Sequence, residues 1–449
     1  MKKQILLLLA LLFATGVSAQ NPTLYFMEGS TFRSQLNPAF APQRGYVNIP
    51  VAGNIQLSTA GNLSLDRILY PSNGKLVTLL DPSISAEQAL SGLQQENTLG
   101  ADVRLGIIGI GAYTKNQKSF WSVDVNMRIN GDTNLPYGLF EFLKLGTSND
   151  IRNVNLAASG YLEVAGSYSF PLLKDKLYIG VRGKFLVGMA RAQLNYKQLN
   201  VQLGEDAWRV KADGEMNLAG GGIEVEPQLN DAGEEVFLFD DIKFNSVKPA
   251  GYGFAVDLGA TYDVLPNLQV SLAVTDLGFI SWSKKEMITG RSVEELEFTG
   301  VTVENGQTLP QPEVEFGAFE FTPSTPTSTT TSLRASINAG AEYKIWQERV
   351  GFGLLYTARF WESKAQHNLT ASVNFQPIKW FTLAGSYSFI DNRAGAVGLA
   401  LNFHPSWINL FIATDILTTQ HTPQWVPIKQ SVMNVTFGLG VPIGKKGER

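Results

Sequence analysis

The chain has 449 residues, of which 17% are charged, with a formal net charge of −4 and no cysteine. This charge balance lacks the basic surface that binds nucleic acid, and the absence of cysteine excludes disulfides, thiol catalysis and a lipid-modified N-terminal cysteine. Forty-three glycines and 11% aromatic residues are typical of a β-rich protein.

The N-terminus carries the pattern of an export signal. Lys2 and Lys3 precede an apolar run, and small side chains occupy residues 17 to 19. The run is shorter than the roughly 20 residues that a membrane-spanning helix needs. We therefore predict that residues 1–19 are a signal peptide, cleaved after Ala19, and that the mature chain is exported.

Residues 20–45 have no regular hydrophobic period and are rich in proline. They contain Asn37-Pro38-Ala39-Phe40, with Pro42 two residues later. Proline removes a backbone donor and interrupts regular elements, so this stretch predicts an irregular periplasmic segment and not a strand. Because it begins at the mouth of the domain that follows, it could fold back into that domain as a plug.

Residues 46–443 repeat a strict two-residue alternation of apolar and polar side chains. For example, Trp121 and Val123 lie on one face of a strand, and Ser122 and Asp124 lie on the other. No stretch of this region approaches the 18 or so consecutive apolar residues of a helical span. The alternation predicts fourteen strands, which begin near Tyr46, Asp102, Phe120, Asn155, Leu177, Tyr252, Leu268, Leu333, Arg349, Asn368, Phe381, Ala396, Ile408 and Ser431.

The distribution of charge distinguishes two classes of alternating β protein. A soluble β-sandwich carries its charged side chains on the outward face. In this chain charges are sparse and lie opposite the bulky apolar set. The predicted connections also alternate between long and short, as outer loops and periplasmic turns do in membrane barrels. We therefore predict an all-β, transmembrane, antiparallel up-and-down barrel of about 14 strands, with a periplasmic tail at residues 444–449.

Aromatic residues flank the predicted short turns. Trp121, Trp346, Trp380 and Trp407 are examples. Amphipathic rings prefer the boundary between headgroups and hydrocarbon, so this pattern indicates a membrane edge. The predicted location is the outer membrane, in contact with its lipid and lipopolysaccharide.

The longer connections are predicted to be outer loops. Short helices are expected near Ala86–Gln95 and Leu139–Leu145, and acidic residues concentrate at 224–241 and 294–320. A solvated surface explains this acidity. An alternative is that the acidic residues bind divalent ions that bridge the loops to lipopolysaccharide, although the sequence has no EF-hand spacing.

Charged residues on the polar strand faces are expected to point into the lumen. Their signs are mixed, and no spacing favours one anion or cation. They either brace the wall and a plug through ion pairs, or line a path that selects solutes. The residues are Arg104, Asp124, Arg128, Glu163, Arg182, Lys184, Asp257, Arg334, Glu342 and Arg359.

Support for catalysis in the sequence is weak. The three histidines are His367, His404 and His421, and His367 with Asn368 and Ser363 is the nearest approach to a hydrolytic triad. The sequence has no nucleophile elbow, phosphate loop or metal-ligand spacing. We predict that the protein is not an enzyme and has no catalytic residues, cofactor or metal site.

Two motifs resemble an uncharacterised family of Bacteroidetes outer-membrane barrels, classed as a domain of unknown function. They are the N-P-A-F-A-P segment at 37–42, and the D-L-G-A-T-Y stretch at 257–262 leading into V-T-D-L-G-F-I-S-W at 274–282. More distantly, the chain is similar to FadL-type barrels for hydrophobic compounds, which have fourteen strands and an N-terminal hatch. This resemblance implies a hatch role for Asn37, Pro38, Ala39 and Phe40, and it carries over no ligand site.

Two functions are compatible with this sequence. The first is a FadL-like barrel that binds or passively transports small hydrophobic or amphipathic compounds. The alternative is a non-transporting partner or scaffold of a secretion or surface-assembly complex, in contact with another envelope protein. Both need the same lipid-facing alternation, so the sequence does not choose between them.

Overall fold

A computed structural model describes residues 22–63, 67–72, 75–203, 208–230, 233–237, 242–298, 320–360, 365–390, 393–416 and 433–448. The predicted signal peptide and its cleavage site lie outside the described residues, as do Ser363 and His421. Among the described helices, none combines the length and hydropathy that crossing a bilayer requires.

The described residues are mostly in strands, because β-branched and aromatic residues alternate with small polar ones along the chain. Three short helices span Arg33–Leu36, Ala86–Leu90 and Tyr137–Leu145, with 3₁₀ turns at Pro22–Leu24 and Lys284–Glu286. In chain order the strands are β1 (Arg44–Asn48), β2 (Ile55–Gly61), β3 (Leu69–Ser72), β4 (Lys75–Thr78), β5 (Glu96–Tyr113), β6 (Phe120–Pro136), β7 (Asn149–Leu172), β8 (Leu177–Leu203), β9 (Trp208–Val225), β10 (Gln228–Leu229), β11 (Glu235–Val236), β12 (Ile242–Lys248), β13 (Gly251–Leu265), β14 (Leu268–Trp282), β15 (Met287–Phe298), β16 (Thr322–Ser324), β17 (Thr329–Ser332), β18 (Ser336–Ile345), β19 (Val350–Phe360), β20 (Ala365–Ile378), β21 (Phe381–Ile390), β22 (Arg393–Phe403), β23 (Asn409–Ile416) and β24 (Met433–Lys446).

The described strands form a closed antiparallel barrel of fourteen strands, which confirms the predicted fold. The first barrel strand is split into β1 and β2, and both parts pair with β24 on one side and β5 on the other. This pairing closes the barrel, and Arg44 lies opposite Lys446 in the ladder. The beginning and end of the barrel therefore meet at the same rim.

The two faces of the wall differ sharply in polarity. On β13, Phe254 is 60% exposed and Leu258 is 50% exposed, whereas Asp257 between them is fully buried. The same contrast recurs around the barrel, with apolar side chains outside and Asn, Ser, Thr and charged side chains inside. In water this outer surface would be strongly unfavourable, at about 25 cal/mol per Å² of exposed apolar area. In hydrocarbon it is matched to its surroundings.

One sector of the wall is much longer than a membrane is thick. Strand β8 has 27 residues, which corresponds to about 90 Å of extended chain, against an apolar band about 25 Å tall. The far half of β8 pairs with β9, and β9 pairs in turn with β15. These strands continue the sheet beyond the barrel.

The fourteen predicted strands therefore do not include the strands of this extension, which lie within two of the predicted long connections. Residues 192–251 and 276–332 contain the described strands β9, β12, β15, β16 and β17. The first predicted helix is shorter than expected and ends at Leu90, while the second begins two residues early, at Tyr137. Ser85 caps the first helix, with its Oγ accepting from the amide of Gln88 at 3.1 Å.

Candidate functional site

The N-terminal segment, residues 22–42, lies inside the barrel. Its contacts reach strands on different sides of the wall. Thr23 Oγ1 is 2.6 Å from Ser386 Oγ on β21, Ser169 on β7 donates to the carbonyl of Ala39 at 3.0 Å, and Asn338 on β18 donates to the carbonyl of Leu36 at 3.2 Å. Only a segment within the lumen can contact such distant strands at once.

The predicted hatch residues form a compact turn in this segment. Asn37 is fully buried, and its Oδ1 accepts from the amide of Ala39 at 2.9 Å. The turn sits against two inner-wall glycines, since a Cβ at Gly180 would collide with the Pro38 backbone and one at Gly259 would collide with Asn37. Glycine at these two wall positions makes room for the segment.

An apolar cluster forms around the segment. It contains the rings of Tyr25 and Phe40, whose centroids are 5.1 Å apart, and the guanidinium of Arg33 lies 4.1 Å from the Phe40 centroid. Edge-on ring pairs and a guanidinium over a ring face are both favourable geometries. The members are Leu24, Tyr25, Phe26, Met27, Phe32, Leu36, Phe40, Leu355, Ala384, Ala400, Phe411 and Ala413.

A network of buried charges occupies the interior. Arg128 on β6 is at its centre and contacts Glu163 at 3.1 Å, Asp276 at 3.3 Å and Asp102 at 3.5 Å. Lys184 on β8 contacts Asp276 at 2.5 Å and also Asp257 at 2.7 Å. Since β7, β8 and β13 separate β6 from β14 along the wall, the Arg128–Asp276 pair crosses the interior.

Asp276 reaches this network because the wall bulges at that point. The β13–β14 ladder shifts register between Val256 and Leu258, leaving one extra residue on β14. Asp276 has a φ of 59°, and its amide donates to Asp257 Oδ1 at 2.7 Å. The bulge turns two consecutive side chains, Thr275 and Asp276, toward the interior.

Other predicted lumen residues form smaller groups. Arg182 donates to Asp124 at 2.7 Å, and the hydroxyl of Tyr46 donates to the same carboxylate at 3.2 Å. Arg359 contacts Asp102 at 2.5 Å. Arg334 donates to two backbone carbonyls, those of residues 101 and 131, at 2.7 Å each.

Arg104 and Glu342 each contact an amide side chain. The guanidinium of Arg104 donates to Gln35 Oε1 of the N-terminal segment. Glu342 lies near the turn between β18 and β19 and accepts from Asn374 at 3.4 Å. All ten predicted residues are thus buried in the structure, and most of them lie in one connected interior.

The sequence reasoning missed Asp102, Asp132 and Asp276. Asp102 and Asp132 share the parity of Arg104 and Arg128 on their strands, so the alternation alone could have identified them. Asp276 breaks the parity of β14, and no local pattern points to it.

The rim at the short turns carries its own polar contacts. Glu28 of the N-terminal segment pairs with Lys344 on β18. Partial burial opposes ionisation of Glu28, but the Lys344 ammonium and the Arg33 guanidinium outweigh it and hold the pKa of Glu28 below its usual range. Burial lowers the pKa of His404, whose Nε2 lies 3.2 Å from the Thr382 hydroxyl.

A closed antiparallel barrel with an apolar exterior and a polar interior is the architecture of a transmembrane β-barrel protein of the outer-membrane type. The chain belongs to the Family of unknown function (DUF5723), which matches residues 38–415. The predicted membership in a family of unknown function is therefore confirmed. Among curated proteins there is no match.

Solved structures similar to this chain include a toluene transporter, TbuX of Ralstonia pickettii. It is 10% identical, with a TM-score of 0.48, over 95% of this chain and 99% of that chain. A FadL homologue of Pseudomonas aeruginosa is 10% identical, with a TM-score of 0.42, over 95% of this chain and 96% of that chain. Similarity at this level carries no argument about a ligand, so function is argued from this chain's own residues.

Proposed function

We propose that this protein is an outer-membrane barrel whose N-terminal segment is a removable hatch, and that it passes small hydrophobic or amphipathic compounds. One observation carries the proposal. An irregular segment, residues 22–42, is buried in the lumen and contributes seven of the twelve side chains of its apolar cluster. The surrounding inner wall is largely polar. Moving the segment would leave a lumen of mixed polarity, suited to amphipathic solutes.

The attachment of the hatch supports reversible movement. Besides the Glu28–Lys344 ion pair and the apolar cluster, it is held by individual hydrogen bonds, such as those of Asn37 to the carbonyl of Ala260 at 3.4 Å and Asn409 to the carbonyl of Gly29 at 2.5 Å. The chain has no cysteine that could fix it covalently. Each such hydrogen bond contributes about 0.5–1.5 kcal/mol net, so the polar contacts can be released one at a time without unfolding the wall.

A reversible covalent lock tests the proposal. Thr23 Oγ1 and Ser386 Oγ are 2.6 Å apart, so cysteine sulfurs at these positions need only a small side-chain rotation to reach the roughly 2.05 Å of a disulfide bond. The double variant Thr23→Cys with Ser386→Cys ties the hatch to β21 when oxidised. Entry of the fluorescent probe 1-N-phenylnaphthylamine into intact cells measures transport, and the reduced variant should be faster than the oxidised one by about fivefold or more.

A matched disulfide elsewhere provides the control. Thr370 Oγ1 and Ser388 Oγ are 2.7 Å apart on the neighbouring strands β20 and β21, and neither belongs to the hatch. Thr370→Cys with Ser388→Cys should give one entry rate in both redox states. Equal rates for the oxidised and reduced hatch variant would overturn the proposed transport.

A scaffold function is the second candidate, and the long sector of the wall favours it. Strands β8, β9 and β15 extend beyond the barrel as a folded sheet that a passive channel does not require. If the protein is a scaffold, both redox states of the hatch variant should be equally closed. Crosslinking in intact cells should then recover another envelope protein through residues of β9 or β15.

A further inference from the structure

Six lysines lie together on one side of the rim formed by the short turns. Two are in the turn between β5 and β6, two are in the turn between β7 and β8, and two are at the end of β24. The strands that carry them are close in the barrel wall, since β24 pairs with β1 and β1 pairs with β5. We call these residues the basic sector: Lys115, Lys118, Lys174, Lys176, Lys445 and Lys446.

Contacts between the three segments hold the basic sector together. The amide of Glu448 donates to the carbonyl of Gln117 at 2.8 Å, so the chain beyond β24 lies against the turn between β5 and β6. Lys118 of that turn pairs with Asp175 of the next turn. The six lysines therefore form one surface and not three separate ones.

Carboxylates do not balance this surface. Among the described residues, three carboxylates lie within it or at its border: Asp175, Asp263 and Glu448. In the β1–β24 ladder, Lys446 lies opposite Arg44, a further cation, and its charge also acts on Glu28. Like charges placed opposite each other are destabilising, so an anion that neutralises them would stabilise this part of the rim.

Four lysines of the basic sector have no counter-charge in contact. They are exposed, and no ion pair or side-chain hydrogen bond within the described part of the chain includes them: Lys115, Lys174, Lys176 and Lys445. A lysine ammonium is a compact charge with three donors on a flexible stem. These four groups are therefore available to an external anion.

The opposite side of the same rim is balanced. In the turn between β18 and β19, Lys344 pairs with Glu28, and Arg349 directly follows Glu348. Each cation of that turn thus has a carboxylate in contact or next to it in the chain. The excess of positive charge belongs to one sector and not to the whole rim.

The basic sector adjoins apolar side chains on the outer face of the wall. Leu172, at the end of β7, is 42% exposed and precedes Lys174 by two residues. Trp121, near the start of β6, is 37% exposed and follows Lys118 by three residues. A lysine stem packs along such groups while its ammonium stays among headgroups, and clusters of about four to eight lysines or arginines beside a membrane-embedded element attract anionic lipids. Acyl chains and a phosphate in one molecule match both parts of this surface.

We propose that the basic sector binds the anionic headgroups of phospholipids in the leaflet at the short turns. Its four exposed lysines donate to the phosphate oxygens, and the acyl chains lie against the outer wall beside Leu172 and Trp121. The site is outside the lumen, so it goes beyond the proposed function and stands whether or not the N-terminal segment moves.

Local lipid composition tests the proposal. The chain has no cysteine, so Leu172→Cys and Ile345→Cys each accept one fluorescent label. The two positions are matched, since Leu172 is 42% and Ile345 is 41% exposed, and Ile345 ends β18 on the balanced side. In phosphatidylcholine vesicles, the label is quenched by a minor fraction of nitroxide-labelled phosphatidylglycerol or, separately, of nitroxide-labelled phosphatidylcholine.

Quenching should show enrichment of phosphatidylglycerol at position 172 by about fivefold or more, the factor that a single lysine near a membrane surface supplies. At position 345 the two lipids should quench within about twofold of each other, because the local charges cancel. Equal quenching by both lipids at position 172, or equal enrichment at the two positions, would overturn the site.

Two double variants assign the effect to the lysines. In the Leu172→Cys background, Lys174→Gln with Lys176→Gln should remove most of the enrichment, whereas Lys174→Arg with Lys176→Arg should keep it because the charge remains. Both lysines are exposed and make no side-chain contact among the described residues, so neither change should disturb folding, which heat-dependent mobility on gels checks. Wild-type enrichment in the glutamine variant would show that these lysines do not bind the headgroups.

Discussion

At the residue scale, burial determines how much an ion pair contributes to the free energy of unfolding. Arg128 is buried among three carboxylates, and removing it would leave them without their shared counter-charge. We expect Arg128→Gln to lower the free energy of unfolding by about 3–5 kcal/mol, the usual cost of breaking a buried pair. Urea unfolding in lipid vesicles, followed by tryptophan fluorescence, measures this difference.

The Glu28–Lys344 ion pair is the control for Arg128. The Glu28 side chain is 43% exposed and that of Lys344 is 21% exposed, so water screens the pair. Glu28→Gln should therefore cost no more than about 1 kcal/mol. Equal losses for Glu28→Gln and Arg128→Gln would mean that the interior network does not stabilise the fold.

The inward charges show what the sequence could predict at this scale. Strand parity alone places Arg104, Arg128 and Lys184 on the inner face. It cannot say that Arg128 reaches Asp276, because that contact depends on which strands face each other across the lumen. Nor could it show that Arg104 contacts Gln35 of the N-terminal segment, since that contact is a property of the assembled interior.

At the scale of the element, the bulge on β14 is a removable insertion. Without Asp276, Thr275 would lie opposite Asp257 and the ladder on both sides would keep its register. We expect deletion of Asp276 to give a barrel that still assembles but is less stable by about 3 kcal/mol, because Arg128 and Lys184 lose a shared carboxylate. Assembly is read from the heat-dependent mobility of the folded barrel on gels.

A deletion in a regular strand should behave differently. Ala341 on β18 pairs with β14 and β19 without any register shift nearby. Removing it turns every side chain on one side of the deletion to the opposite face, which places apolar groups in the lumen and polar groups in lipid. Deletion of Ala341 should prevent assembly, and equal behaviour of the two deletions would contradict the bulge assignment.

The alternation predicted fourteen strands because a lipid-facing strand needs an uninterrupted apolar face. The alternation did not identify β9 as a strand of the sheet. On β9 the buried residues Ala212, Met216 and Leu218 alternate with polar residues such as Lys211 and Asp213. That strand leaves the membrane, so its outer face is charged and its pattern is that of a soluble protein. Sparse charge was the property that identified the barrel strands. Because β9 carries several charged side chains, the same property left it out of the predicted barrel.

At the scale of the whole molecule, one chain meets three environments. In the proposed orientation the outer wall contacts hydrocarbon, the lumen holds buried charge and the N-terminal segment, and the extended sector is in water. The same two-residue period serves all three, and only the chemistry of each face distinguishes them. The apolar composition of the outward strand faces is enough to predict their contact with hydrocarbon. The lumen requires the three-dimensional arrangement, since hatch and wall contacts join residues hundreds of positions apart in the chain, as Asn402 and Glu28 do.

The lipid-facing assignment has a test at this scale. Leu272 on β14 is 55% exposed, four residues from the turn-side end of its strand and therefore about 10 Å into the apolar band. Leu143 is 44% exposed on the helix that follows Pro136, the far end of β6. That end is about 40 Å from the turn-side end of β6, beyond the hydrocarbon.

An arginine at each of these leucines separates membrane from water. In lipid vesicles, Leu272→Arg should lower the free energy of unfolding by about 2–4 kcal/mol, because a guanidinium near the middle of the bilayer loses its hydration. Leu143→Arg should change it by less than about 0.5 kcal/mol, as surface substitutions usually do. If both variants unfold at the wild-type urea concentration, the bulky apolar face of the barrel does not contact acyl chains.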